Sequence, residues 1–256
     1  FYIKLSLKLL IYETNKLETK NMKIISNFSP NYSKKTRLDK EIKIVIIHYT
    51  GMQSEIESIK RLKNPKHKVS CHYLINRKGQ VIQMVKDKYI AWHAGKSKWK
   101  KFINLNDKSL GIELVNRGHK FGYQSFSQKQ ITSLIKLCKN LKKKYFIKKE
   151  DFIGHSDVAP LRKDDPGEKF PWKKLSNYNL GKWYRKKYLN EEIGKKKIKY
   201  MFFKNLHKLG YRYFSINKRN PKDKKIIKSF QQHYSPKKVT GKIDQKTYKI
   251  SHFLTH

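Results

Sequence analysis

The chain has 256 residues, of which 38% are hydrophobic and 13% aromatic, enough apolar mass for one large domain or two modest ones and too much for global disorder. No apolar run reaches the ~18 residues of a membrane-spanning helix, and two cysteines, Cys71 and Cys138, exclude a disulfide framework. The net charge is +42, but 53 of the 61 basic residues are Lys and the excess runs through both 1–196 and 197–256, which reads as a solvated lysine surface and not as a specific nucleic-acid site.

Residues 1–21 read as an extension, disordered or upstream of a start at Met22. Their stretch LSLKLLIY is short, is broken by Lys8 and lacks a small-residue cleavage site. The β-branched run Ile42, Ile44, Val45, Ile46, Ile47 predicts a buried strand, with Ile42, Ile44, Ile46 and His48 on one face. His48 then stands at the strand's C-terminal end, where open α/β sheets place active-site groups. Residues 53–63 predict a helix that ends before Pro65. Residues 72–76 and 80–85 alternate around Arg77-Lys78-Gly79, the pattern of a hairpin. Leu110–Val115 predicts another strand, with Ile112 and Leu114 on one face and Glu113 and Val115 on the other. Ser127 and Gln130 form a capping box for a helix whose stripe is Ile131, Leu134, Ile135, Cys138 and Leu141. Cys138 on that stripe reads as a small core residue.

The Pro- and Gly-containing segment 154–167 predicts a loop, and residues 185–196 a Lys-rich linker. Beyond it, three helical stripes predict a small three-helix domain at 197–256. They are Ile198, Phe202, Leu206, Leu209; then Ile226, Ile227, Phe230, Tyr234; then Ile243, Thr247, Ile250.

The 154–167 loop holds His155, Lys163 and a choice of carboxylates. Two His and one carboxylate, with a position left for water, make the ligand set of a catalytic Zn²⁺. With ten histidines in the chain, spacing alone leaves ordinary core or surface histidines equally open.

The words around these residues are more specific. His48-Tyr49-Thr50 follows the apolar strand, and Ser70-Cys71-His72-Tyr73-Leu74-Ile75 precedes the hairpin. Then come Ala91-Trp92-His93-Ala94-Gly95, Gly111-Ile112-Glu113-Leu114 and the loop GHSDVAP…KDDPG at 154–167. In this order they resemble the zinc-dependent N-acetylmuramoyl-L-alanine amidases, the type 2 amidase family related to T7-type lysozyme and peptidoglycan recognition proteins. The resemblance implies an α/β fold, a mixed central sheet flanked by helices, over a catalytic domain at 22–184. It implies a Zn²⁺ cofactor held by His48, His155 and Asp165, with Asp164 and then Asp157 as competing carboxylates. It makes Glu113 the group that moves the proton and Lys163 the charge that stabilises the oxyanion. Trp92 and His93 are expected to shape the substrate cleft. His72 is expected to be a packed strand histidine, and His67 and His119 to lie on the surface.

The C-terminal segment resembles a three-helix peptidoglycan-binding domain through Leu209-Gly210-Tyr211, Phe230-Gln231-Gln232-His233-Tyr234 and Thr240-Gly241-Lys242-Ile243-Asp244. The implied activity is hydrolysis of the amide between the lactyl group of N-acetylmuramic acid and L-alanine, in peptidoglycan or muropeptides, for wall turnover or recycling. A non-catalytic peptidoglycan-binding protein is the alternative. A cytoplasmic location is expected, or a periplasmic one if 1–21 conceals an export signal; oligomeric state and stem-peptide preference stay open.

Overall fold

The computed structural model describes residues 22–185 and 198–256. The extension at 1–21 and positions 186–196 of the expected linker lie outside the described residues. The strands are β1 (Ile24–Ser26), β2 (Tyr32–Thr36), β3 (Ile44–Tyr49), β4 (Tyr73–Ile75), β5 (Val81–Gln83), β6 (Tyr89–Ala91), β7 (Lys98–Trp99), β8 (Phe102–Ile103), β9 (Ser109–Leu114) and β10 (Phe152–Gly154). The α-helices are α1 (Glu55–Lys63), α2 (Gln128–Tyr145), α3 (His155–Val158), α4 (Trp172–Ser176), α5 (Ile198–Leu209), α6 (Asp223–Tyr234) and α7 (Gln245–Phe253).

Six strands form one mixed sheet in the order β1-β5-β4-β9-β3-β10. Only the β4–β5 pair is antiparallel; it is the expected hairpin, and Gly79 takes the turn at φ +84°. β3 lies between β9 and β10 with parallel partners on both edges, and both of its faces are buried, Val45 and Ile47 in one core and Ile44 and Ile46 in another. That is why its sequence is a continuous apolar run with little alternation.

Strand β3 begins two residues later than its apolar run. Ile42 closes a short 3₁₀ turn at Asp39–Glu41 and packs with Val45 and Ile47, not with Ile44 and Ile46. The turn resets the alternation, so the sequence expectation for Ile42 is corrected. His48 keeps its expected place on the Ile44 and Ile46 face. The 154–167 segment is also more regular than expected. It opens with the last residue of β10 and one full turn of helix, α3.

One sheet face, carrying Val45, Ile47, Ile75, Ile112 and Leu114, is covered by α2 through Ile131, Leu134, Ile135, Cys138 and Leu141. The Ser127–Gln130 capping box starts α2 as expected. The opposite face divides in two. Leu74, Ile82 and Val115 pack with Leu62 of α1, whereas Ile44, Ile46 and Ile153 share a core with Phe202, Leu206, Ile226, Phe230 and Ile250 of α5, α6 and α7. The C-terminal helices thus bury the sheet's β3–β10 side in one continuous cluster. Each fully buried Ile in that contact contributes roughly 1.5–3 kcal/mol.

Candidate metal centre and active-site cleft

Three adjacent parallel strands end at one place. His48 of β3 is paired in register with Glu113 of β9, and Gly154 of β10 is paired with Ile47. His155 follows Gly154 as the first residue of α3. The chain then returns so that the Asp165 carbonyl accepts from the Ser156 N–H at 2.8 Å. His48 Nδ1 and His155 Nδ1 are 2.9 Å apart, and each lies 3.0 Å from Asp165 Oδ2. All three side chains are buried.

One assignment of ring protons satisfies the hydrogen bonds around the trio. The single proton of the Ser109 hydroxyl goes to the Leu105 carbonyl at 2.6 Å, so Ser109 Oγ accepts from His93 Nε2 at 3.3 Å. His93 Nδ1 is then bare and accepts from His48 Nε2 at 3.1 Å. His155 Nε2 donates to the Ala94 carbonyl at 3.2 Å. Both Nδ1 atoms therefore turn lone pairs toward the Asp165 carboxylate. Burial and the neighbouring His155 push His48 down to about 4, which keeps its ring neutral. Two lone pairs and a carboxylate aimed at one point repel unless a cation sits among them. Among the described residues this is the one group of three or more His, Cys, Asp or Glu able to hold a metal ion.

Glu113 stands beside the trio, 9% exposed, and its Oε2 is buried without a hydrogen-bond partner. Burial first, and the Asp165 charge second, push its carboxyl up to about 8. Such a group can take and return a proton near neutrality. Lys163 lines the same cleft, whose volume is about 630 Å³. Arg61 and Lys120 line it as well, giving it a positive wall.

The structure thus brings together His48, His155, Asp165, Glu113 and Lys163. Asp164 is exposed on the cleft wall, and Asp157 is buried elsewhere, bonded to the Gly154 N–H. His93 lines the cleft but spends its nitrogens on His48 and Ser109. Gly111 makes this possible, because a Cβ there would lie 2.4 Å from the His93 ring. Trp92, expected at the cleft, is half-buried and is not among the residues lining it, whereas the adjacent His93 is. His72 is the packed histidine expected, its Nδ1 accepting from the Gly111 N–H at 3.0 Å. His67 is exposed, as expected. His119 is exposed, as expected, and is also tied into the cleft wall. Its Nδ1 meets the Tyr49 hydroxyl at 2.9 Å, its Nε2 meets Glu168 at 3.1 Å, and its side chain lines the cleft.

Sequence reasoning missed Ser109 and Arg162. Arg162 donates to the carbonyls of Ala94 and Lys96, fixing the acceptor that His155 uses. Its rarity was a signal, because it is one of 8 Arg in a Lys-rich chain and adjoins Lys163. Nothing in the local pattern marks Ser109.

Residues 38–168 match the family model for N-acetylmuramoyl-L-alanine amidase. The chain is 35% identical over 229 residues to N-acetylmuramoyl-L-alanine amidase AmiD of Escherichia coli, covering 83% of this chain and 82% of that one. It is 32% identical over 164 residues to the 1,6-anhydro-N-acetylmuramyl-L-alanine amidase AmpD of Haemophilus influenzae, covering 57% of this chain and 86% of that one. The solved structure of E. coli AmiD in complex with anhydro-N-acetylmuramic acid-L-Ala-D-γ-Glu-L-Lys superposes with a TM-score of 0.75 at 32% identity, over 88% of this chain and 92% of that one. AmpDh3 of Pseudomonas aeruginosa gives 0.74 at 28% identity, over 88% and 95%. Fold, ordered motifs and the convergent site agree with these matches, and the chain belongs to the N-acetylmuramoyl-L-alanine amidase family.

Proposed function

We propose that this chain is a zinc-dependent amidase that hydrolyses the bond between the lactyl carbonyl of N-acetylmuramic acid and the nitrogen of L-alanine, in muropeptides or peptidoglycan. The observation that carries the reading is the meeting of His48, His155 and Asp165 at 2.9–3.0 Å, with bare Nδ1 lone pairs and a partnerless Glu113 oxygen alongside. Solved structures of two relatives support the substrate class: one is a complex with an anhydromuramyl tripeptide, the other with anhydromuramic pentapeptide.

His48, His155 and Asp165 would hold Zn²⁺, which when bound would lower the pKa of water toward ~7 and polarise a carbonyl, as an unactivated amide requires. Glu113 accepts the proton of the attacking water and delivers it to the departing L-alanine nitrogen, a cycle suited to a carboxyl whose burial raises its proton affinity. Lys163 supplies positive charge to the oxyanion that develops on the lactyl carbonyl. His93 and Ser109 hold the His48 ring in the tautomer that leaves Nδ1 free. Arg61 and Lys120 offer charge to the carboxylates of a stem peptide.

Metal analysis and turnover of muropeptide before and after chelation test this reading. One zinc per chain, loss of turnover on its removal and return with added Zn²⁺ are expected. Undiminished turnover by metal-free chain contradicts it.

A further inference from the structure

The buried Asp157 takes no part in the metal cluster, although it lies two residues from His155. Its Oδ2 accepts from the Gly154 N–H at 2.7 Å, closing the first turn of α3 over the residue that precedes His155. The rest of its bonds come from the C-terminal segment, 198–256. His233 Nδ1 of α6 meets the same Oδ2 at 2.7 Å, and the Tyr211 hydroxyl donates to Oδ1. Tyr211 is fully buried and follows Gly210 at the end of α5.

The His233 ring is held flat between two others. Trp172 of α4 stacks on it at 4.0 Å and 14°, and Tyr234 at 4.0 Å and 12°. Two further donors on the same face of α6 reach the same segment. Ser229 Oγ bonds the Ser156 carbonyl at 2.7 Å, and Lys225 Nζ bonds the Leu161 carbonyl at 2.9 Å. Lys225, Ser229 and His233 are spaced by four, so one stripe of α6 grips residues 156–161. A buried carboxylate is costly to keep. An apolar helix face alone would bury the sheet, so this polar grip does something the packing does not require.

We propose that the C-terminal three-helix unit is a positioning element of the metal centre: Tyr211 and His233 fix the Asp157 carboxylate, which fixes the first turn of α3 and the direction of His155. The proposal rests on the zinc reading above. It gives the C-terminal unit a role inside the catalytic centre, separate from any binding of wall polymer. Tyr211 and His233 are positioning residues, and they act through Asp157 and the backbone of Gly154.

Zinc affinity of the full-length chain, measured by competition with a chromophoric chelator, tests it. Tyr211→Phe removes one hydroxyl and keeps the ring; His233→Leu removes the second donor; His233→Asn returns an N–H near the position of Nδ1. Tyr211→Phe and His233→Leu are expected to weaken zinc binding by up to about 10-fold, the lower end of the range for removing a direct outer partner of a metal ligand, because both act one bond further out. His233→Asn is expected to recover most of that loss. Phe203→Leu loosens the same helices without touching Asp157 and is expected to leave zinc affinity unchanged. Wild-type affinity in both Tyr211→Phe and His233→Leu overturns the proposal, and so does an equal loss in Phe203→Leu. A wild-type chain that binds no zinc overturns the zinc reading as well, a result distinct from either.

Discussion

At the scale of single residues, the centre works by placing protons. The Leu105 carbonyl, Ser109, His93 and His48 form a chain in which each donor's direction is forced by the next, and the chain ends with a bare Nδ1. Glu113 differs from these in having one carboxylate oxygen, Oε2, buried without a hydrogen-bond partner. Two kinds of variant separate these jobs. His48→Ala and Asp165→Ala are expected to lose metal and turnover together. Glu113→Gln is expected to keep the metal and lose at least about 100-fold in kcat, the lower range for a positioned acid–base group; full activity there removes Glu113 from its role. The buried histidines also set a pH dependence. An unfolded imidazole titrates near 6.5, whereas burial brings His48 to about 4 and His72 to about 3. Between those values and 6.5 the unfolded chain binds more protons, so stability falls as pH drops, by up to ~1.4 kcal/mol per unit for each histidine. Thermal unfolding of metal-free chain checks this: the midpoint is expected to be lower at pH 5 than at pH 7, and an equal or higher one contradicts it.

At the scale of elements, legibility followed how local the physics is. The β-branched run of β3, the Gly79 turn and the Ser127–Gln130 capping box are written in adjacent residues, and all three stand in the structure. Ile42 misled because a 3₁₀ turn breaks the alternation, and turns of that kind leave little periodic trace. The trio His48, His155 and Asp165 spans 117 residues, so only the family resemblance of the surrounding motifs made it legible. The C-terminal partners of Asp157 were illegible for the same reason, since a buried hydrogen bond between residues 76 apart has no spacing rule. The Ser127 hydroxyl does more than cap α2. It also donates to the Arg77 carbonyl at 2.6 Å and so ties the hairpin to the helix. Ser127→Ala is expected to cost about 1–2 kcal/mol and to leave zinc affinity untouched. A calorimetric midpoint lowered by several degrees supports that; an unchanged one contradicts it.

At the scale of the whole molecule, two chain segments share one core. Ile44, Ile46 and Ile153 are covered by α5, α6 and α7 and not by solvent. A chain ended at residue 185 would expose that face, and such patches drive association. It is expected to aggregate or to melt well below the full-length chain; a soluble monomer with the full-length midpoint contradicts the shared core. The +42 charge remains a surface property of many lysines. A net positive field can speed the capture of carboxylate-bearing fragments, while the specific roles proposed above belong to Lys163, Arg61 and Lys120 at the cleft. No helix among the described residues is long and apolar enough to cross a membrane.

The most direct test of the central claim is the mass of the products formed from an anhydro-muramyl peptide. Incubation with zinc-loaded chain is expected to give two products whose masses sum to the substrate plus one water: the anhydro-muramic acid with a free lactyl carboxylate, and the peptide with a free L-alanine amine. Both are expected to vanish when Zn²⁺ is removed. Substrate left intact by the zinc-loaded chain, or cleavage at any other bond, contradicts the account.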